Sequence, residues 1–198
     1  MKQLLLALDY LTARDIMHRD IKPENILLKE TSSDVEIKLC DFGSAKKISD
    51  LNTPYIVSRY YRAPELIFCK HKYDCKIDVW SLGCIFLELY TGEPLFQGKT
   101  EGDQLIKIAE VMGPPTQDDM TELIRDTPIS PQIEKIILQI GNKQNLFSLI
   151  SADKEPKQEL AVDLAQQLLE WNPKKRLSAR EALKHPYFQL IDSEINIR

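Results

Sequence analysis

The sequence predicts a mainly α fold with a few small β-hairpins, on three observations. Apolar residues return at helical spacing in several segments, with Leu4, Leu5, Leu8 and Leu11 forming the first stripe. Between Ile16 and Phe42 the fragments IMHRD, NILLK and VEIKLCDF are short and rich in Ile, Leu and Val. Prolines at Pro114, Pro115, Pro128, Pro131, Pro156, Pro173 and Pro186 cut the C-terminal half into helix-sized pieces.

The first stripe predicts a helix running to about Ala13. It begins inside the apolar pattern without Ser, Thr, Asp or Asn as an N-cap, so further chain is expected upstream. The fragments IMHRD, NILLK and VEIKLCDF read as short strands, the last two joined into a small hairpin by the turn TSSD. Residues 44–64 have no sustained period and form a loop longer than an ordinary connection. From Cys75 to Tyr90 the chain is apolar on nearly every face and stops at Gly92, which predicts a buried central helix. Helices over Asp103–Met112, Ser130–Gly141, Leu160–Trp171 and Ser178–Lys184 are expected to pack around it. The last has a capping-box signature, with Ser178 followed three residues later by Glu181. Residues 116–158 are polar and poorly periodic, and 189–198 read as a tail.

A chain of 198 residues with 43% apolar and 28% charged residues falls in the ordinary globular class. Its formal net charge of -4 offers no basic field for nucleic acid. The longest apolar stretch, Val79 to Leu89, is too short to span a bilayer, and no signal peptide is evident. Cys40, Cys69, Cys75 and Cys84 match neither a zinc-knuckle nor a disulfide-scaffold spacing, so a reducing compartment is expected. A cytoplasmic or nuclear location follows from that expectation.

The chemistry is concentrated in HRDIKPEN, His18 to Asn25, and DFG, Asp41 to Gly43. Asp20, Lys22, Asn25 and Asp41 combine an acid, an ammonium, an amide and a second acid around the expected hairpin. Such a set suits ATP and magnesium: one aspartate orients a hydroxyl and takes its proton, and the lysine neutralises a moving phosphoryl group. The asparagine and second aspartate hold hard cations through oxygen. Alone, Asp20 would read as a solvated loop residue or a cap; HRDxKxxN and DFG together displace that reading.

With Ala63-Pro64-Glu65, the DVWS stretch from Asp78 to Ser81, and Arg176, these motifs resemble the eukaryotic protein kinases. LCDFGSAKKI and YIVSRYYRAPELI are similar to glycogen synthase kinase 3 and, more loosely, to its cyclin-dependent and mitogen-activated relatives. The resemblance implies the C-terminal lobe of a kinase domain over 1–188, with a catalytic loop at 18–25, an activation segment at 41–65 and a divergent insert at about 116–158. It implies Asp20 as the catalytic aspartate, Lys22 as a catalytic and ATP-phosphate contact, and Asn25 and Asp41 as magnesium ligands. His18 and Phe42 would be packing residues, the ring of His18 mattering more than its proton. Glu65 would pair with Arg176, and Asp78 would accept hydrogen bonds from the catalytic-loop backbone.

The same resemblance makes Thr53 and Tyr55 regulatory positions, with Arg59 and Arg62 close enough to order the loop around a phosphotyrosine. A plainly packed Tyr55 is the alternative. Arg19 and Lys46 match two of three basic residues that bind a phosphate already present on a substrate; otherwise they are solvated surface charges. The implied activity is ATP-dependent transfer of the γ-phosphoryl to Ser or Thr of protein substrates, some pre-phosphorylated. A scaffold protein is expected near 103–120. No glycine-rich GxGxxG stretch or strand lysine of a small lobe is present in the sequence, so the isolated chain is expected to be inert. Either it is a piece of a longer kinase, or it is an inactive scaffold or decoy that binds substrates or partners.

Overall fold

The computed structural model describes residues 1–30, 35–50, 58–68, 73–125, 131–139, 146–150 and 156–195. Helix α1 (Lys2–Thr12) buries Leu4, Leu5, Leu8 and Leu11, the stripe visible in the sequence, and leaves Leu6 and Tyr10 exposed. Gln3 on its outer side completes an edge of the neighbouring sheet: Nε2 donates to the Val35 carbonyl at 2.7 Å, and Oε1 accepts from the Ile37 amide at 2.8 Å. That side chain pairs backbone groups an edge strand would otherwise leave to solvent.

Two antiparallel two-stranded ladders follow. Strand β1 (Ile16–Met17) pairs with β4 (Lys46–Lys47), Met17 opposite Lys46, whereas β2 (Ile26–Glu30) pairs with β3 (Val35–Leu39), Ile26 opposite Leu39. Of these two described ladders, β2–β3 joins consecutive strands as the expected hairpin, and its turn at 31–34 lies outside the described residues. The strand just before the HRD motif instead joins one just after the DFG motif, which clips the two motifs together.

Short α2 (Pro64–Ile67) starts with proline at its first position, where no amide hydrogen bond is lost. Helix α3 (Lys76–Thr91) is the centre of the fold, buried continuously from Ile77 to Leu87. It ends on Gly92, whose φ of 76° suits a left-handed cap and whose amide donates to Glu88 O at 2.8 Å. At Gly83 a Cβ would lie 2.9 Å from Leu169 Cδ2, so the glycine permits close approach of the chain leaving the eighth helix.

Helix α4 (Glu101–Met112) is capped by Thr100, and α5 (Gln117–Ile124) by a Thr116–Asp119 capping box. Then come α6 (Pro131–Gln139), α7 (Leu146–Ile150), α8 (Pro156–Leu168), α9 (Ala179–Ala182) and α10 (Pro186–Ile195). The described part of the polar region 116–158 is therefore largely helical, contrary to its weak periodicity. Helix α9 is a single turn, shorter than expected, although Ser178 and Glu181 do form its reciprocal capping box. Helix α10 runs through the boundary expected at 188.

The described cysteines Cys40, Cys75 and Cys84 are free. Among the described residues no helix is long and apolar enough to cross a membrane.

Candidate active site

The backbone of the HRD motif is held by Asp78 on the first turn of α3. Its Oδ2 accepts the His18 amide at 2.7 Å and its Oδ1 the Arg19 amide at 2.9 Å. Burial pushes the Asp78 carboxyl up, to about 6, against the lowering effect of those two donors.

The loop thus held presents a small hydrogen-bonded constellation. Asp20 Oδ2 receives Lys22 Nζ at 2.8 Å and Asn25 Nδ2 at 3.0 Å. Asn25 Nδ2 also donates to the Asp20 carbonyl at 2.8 Å, so both bonds orient the amide with Oδ1 as its remaining acceptor. The hydrogen bond to Asp20 raises the Lys22 pKa above its ordinary value, the desolvation of the ammonium opposing it. One carboxylate oxygen therefore anchors the loop while the other remains for chemistry.

Register brings the DFG motif to this group. Since Ile26 faces Leu39, the next pair outward is Asn25 and Cys40, and the Cys40 amide donates to Asn25 O at 3.0 Å. Asp41 follows directly, in the left-handed region at φ 58°, with Oδ1 accepting the Gly43 amide at 3.1 Å. Non-glycine residues rarely adopt that backbone state, and aspartate tolerates it better than most.

His18 ties both motifs together. It is fully buried, its Nε2 lies 3.0 Å from the Cys40 carbonyl, and its Nδ1 is 3.4 Å from the Asp20 amide. Nε2 thus faces a backbone acceptor and Nδ1 a backbone donor. The ring is more than packing, since both nitrogens face backbone groups. Phe42 packs edge-on against it at 4.7 Å between centroids and keeps 48% of its surface exposed.

The second ladder positions Arg19. With Met17 opposite Lys46, two further residues in each direction bring Arg19 to Ser44, and Arg19 Nε donates to Ser44 O at 2.7 Å. Arg19 is buried rather than a solvated charge, and Lys46 is half-buried on β4. Arg59 and Arg62 both reach the α3–α4 connection. Arg59 Nη1 donates to Lys99 O at 2.8 Å, and Arg62 Nη1 meets Glu101 Oε1 at 3.2 Å. Thr53 and Tyr55 lie outside the described residues.

Below the site, Arg176 and Glu65 form a buried two-armed ion pair at 2.7 and 2.9 Å. Sequence reasoning missed Gln3, Tyr73 and Glu101. The β1–β4 register that brings Ser44 to Arg19 has no signal in the sequence, and no local signal marks Tyr73 as its partner.

The residues present suit magnesium-bound nucleotide. Asn25 Oδ1 and Asp41 Oδ2 are oxygen donors, and Lys22 is a cation for phosphate. Among the described residues no cluster of three His, Cys, Asp or Glu groups forms a protein-only metal cage. Magnesium characteristically takes one or two protein oxygens and completes its shell with phosphate and water.

Comparison with known proteins finds the protein kinase domain family matching residues 1–188. Glycogen synthase kinase 1 of Pyricularia oryzae is 44% identical over 189 residues, covering 94% of this chain and 45% of that protein. Mitogen-activated protein kinase 10 of Arabidopsis thaliana is 40% identical over 190 residues, covering 94% and 45%. Extracellular signal-regulated kinase 1 of Candida albicans (strain WO-1) is 38% identical over 202 residues, covering 95% and 48%. The chain spans about half the length of the curated relatives it matches.

Proposed function

Because the chain belongs to the protein kinase domain family, we propose that residues 18–43 hold the phosphoryl-transfer groups of a serine/threonine kinase of the glycogen synthase kinase type. The activity is that of the whole protein of which these residues are part. The observation that supports the reading best is the convergence of Lys22 and Asn25 on one oxygen of Asp20.

That arrangement leaves Asp20 Oδ1 to accept the hydrogen of a substrate hydroxyl. As the hydroxyl oxygen bonds to the γ-phosphorus of ATP, the bond to ADP breaks and Asp20 takes the released proton. Lys22 offers its ammonium to the phosphoryl oxygens. Asn25 Oδ1 and Asp41 Oδ2 would hold magnesium, which when bound neutralises phosphate charge. Asp78 and His18 act through the backbone, keeping Asp20 and the DFG segment at a fixed separation.

Protein substrates carrying Ser or Thr are the proposed acceptors, with Arg19 and Lys46 favouring those that already bear a phosphate. The similarity to Glycogen synthase kinase 1 supports this type over the mitogen-activated one by only a few per cent identity. A scaffold site near 103–120 would use α4 and the connection to α5.

The test is radiolabelled ATP with mixed Ser, Thr and Tyr peptides and the natural protein carrying this chain. Label confined to Ser and Thr, and stronger on pre-phosphorylated peptides, is expected. Label on Tyr would contradict the substrate class, and no label at all would favour the inactive scaffold or decoy reading.

A further inference from the structure

Arg19 is unusual among the described arginines. It is only 5% exposed and its φ of 68° is a strained state for a residue with a side chain. No described carboxylate lies within ion-pair distance of its guanidinium; the buried Asp78, whose oxygens accept the amides of His18 and Arg19, acts on it through space. A buried guanidinium with no directly contacting carboxylate is a receptive place for an anion.

Two contacts fix the plane of that guanidinium. Nε donates to the Ser44 carbonyl at 2.7 Å, and Nη1 donates to the Tyr73 hydroxyl at 3.2 Å. Ser44 is set by the β1–β4 register, so its carbonyl fixes the Nε end. Tyr73 comes from the connection between α2 and α3, 54 residues away in sequence, and is itself buried. With those two donors committed, Nη2 has no hydrogen-bond partner among the described residues.

We infer that Tyr73 is a positioning residue for phosphate recognition, its hydroxyl holding the Arg19 guanidinium so that Nη2 meets a phosphate monoester. The inference rests on the reading of Arg19 as a phosphate contact. Holding the fork in advance removes rotamer freedom that binding would otherwise have to freeze. Burial pushes the Tyr73 phenol up, opposed by the neighbouring Arg19, so the hydroxyl stays neutral and keeps its role as acceptor.

The experiment titrates inorganic phosphate into the chain and into Tyr73→Phe and Arg19→Gln, with thermal midpoints measured without phosphate. Loss of one hydrogen-bond acceptor should weaken phosphate binding by Tyr73→Phe about threefold to tenfold, and Arg19→Gln should abolish it. Unchanged affinity in Tyr73→Phe beside lost affinity in Arg19→Gln overturns the positioning role alone. Unchanged affinity in Arg19→Gln, or no binding by the unaltered chain, overturns the phosphate reading and the inference with it. A second readout needs no variant: rotation about the Arg19 Cζ–Nη1 bond, followed by nuclear magnetic resonance in the unaltered chain. Restricted rotation before phosphate is added is expected, and free rotation contradicts the inference.

Discussion

Arg176 reaches across 111 positions of sequence to grip Glu65 with both arms, and neither side chain retains appreciable contact with solvent. Arg176 also donates to the carbonyls of Glu170 and Lys76, and its guanidinium lies 5.0 Å from the ring of Trp80. The pair thus joins α2, α3 and the segment before α9. Replacing Arg176 with Met strands the Glu65 carboxylate in the interior and should cost about 3–5 kcal/mol in urea denaturation. Adding Glu65→Leu should recover part of the loss. A single variant as stable as the parent would show that the pair contributes nothing.

Asp78→Asn keeps one acceptor for two amide donors. Its new amide nitrogen faces a backbone N–H, so one donor loses its partner, at a cost of about 1–3 kcal/mol. Hydrogen exchange should accelerate at the amides of His18 and Arg19 before it does in α3. Uniform acceleration throughout the chain would contradict the local role given to this residue.

The Glu181 carboxylate accepts the Ser178 hydroxyl at 2.7 Å and the Ser178 amide at 2.8 Å. These bonds hold its pKa below the ordinary 4.5. A carboxyl depressed in the folded state contributes stability that is present above 4.5 and disappears as pH falls through its lower folded value. Glu181→Gln retains an acceptor without titrating, so its thermal midpoint should fall less than the parent's between about pH 5 and pH 3. Parallel pH profiles would remove Glu181 from the acid response.

Two glycines should respond differently to alanine. At Gly83 the new Cβ meets only side chains, at 2.9–3.0 Å, and overpacking of about 1–3 kcal/mol is offset by about 1 kcal/mol of helix propensity. At Gly98 it would lie 2.5 Å from the backbone of Gln104, which cannot rotate away. The Gly98 amide, which donates to Gln104 Oε1 at 2.8 Å, would be displaced, and the carbonyls that hold Arg59 with it. Gly98→Ala should therefore destabilise by at least about 1 kcal/mol more than Gly83→Ala. The reverse order in chemical denaturation would refute this account of the α3–α4 connection.

Local signals explain which parts were legible in the sequence. The Leu4–Leu11 stripe, the continuously apolar α3 and the Ser178–Glu181 box each write their structure into adjacent residues. Helix α5 escaped because its box uses Asp119 rather than Glu or Gln and its apolar side is only Met120, Leu123 and Ile124. The motif residues Asp20, Asn25 and Asp41 were readable as a set, yet their alignment depends on two strand registers that sequence does not specify. Arg19–Tyr73 joins two separate loops and Arg62–Glu101 ties a loop to the start of α4, and no periodicity links such partners.

The central claim is that Asp20 serves the transferred phosphoryl group's acceptor from within the set formed with Lys22 and Asn25. Its most direct measurement is kcat for peptide phosphorylation by the natural protein and its Asp20→Asn variant, with ATP affinity determined separately. The account predicts a fall in kcat of about 10²–10⁴-fold with ATP affinity little changed. Near-normal kcat in the folded variant would contradict it.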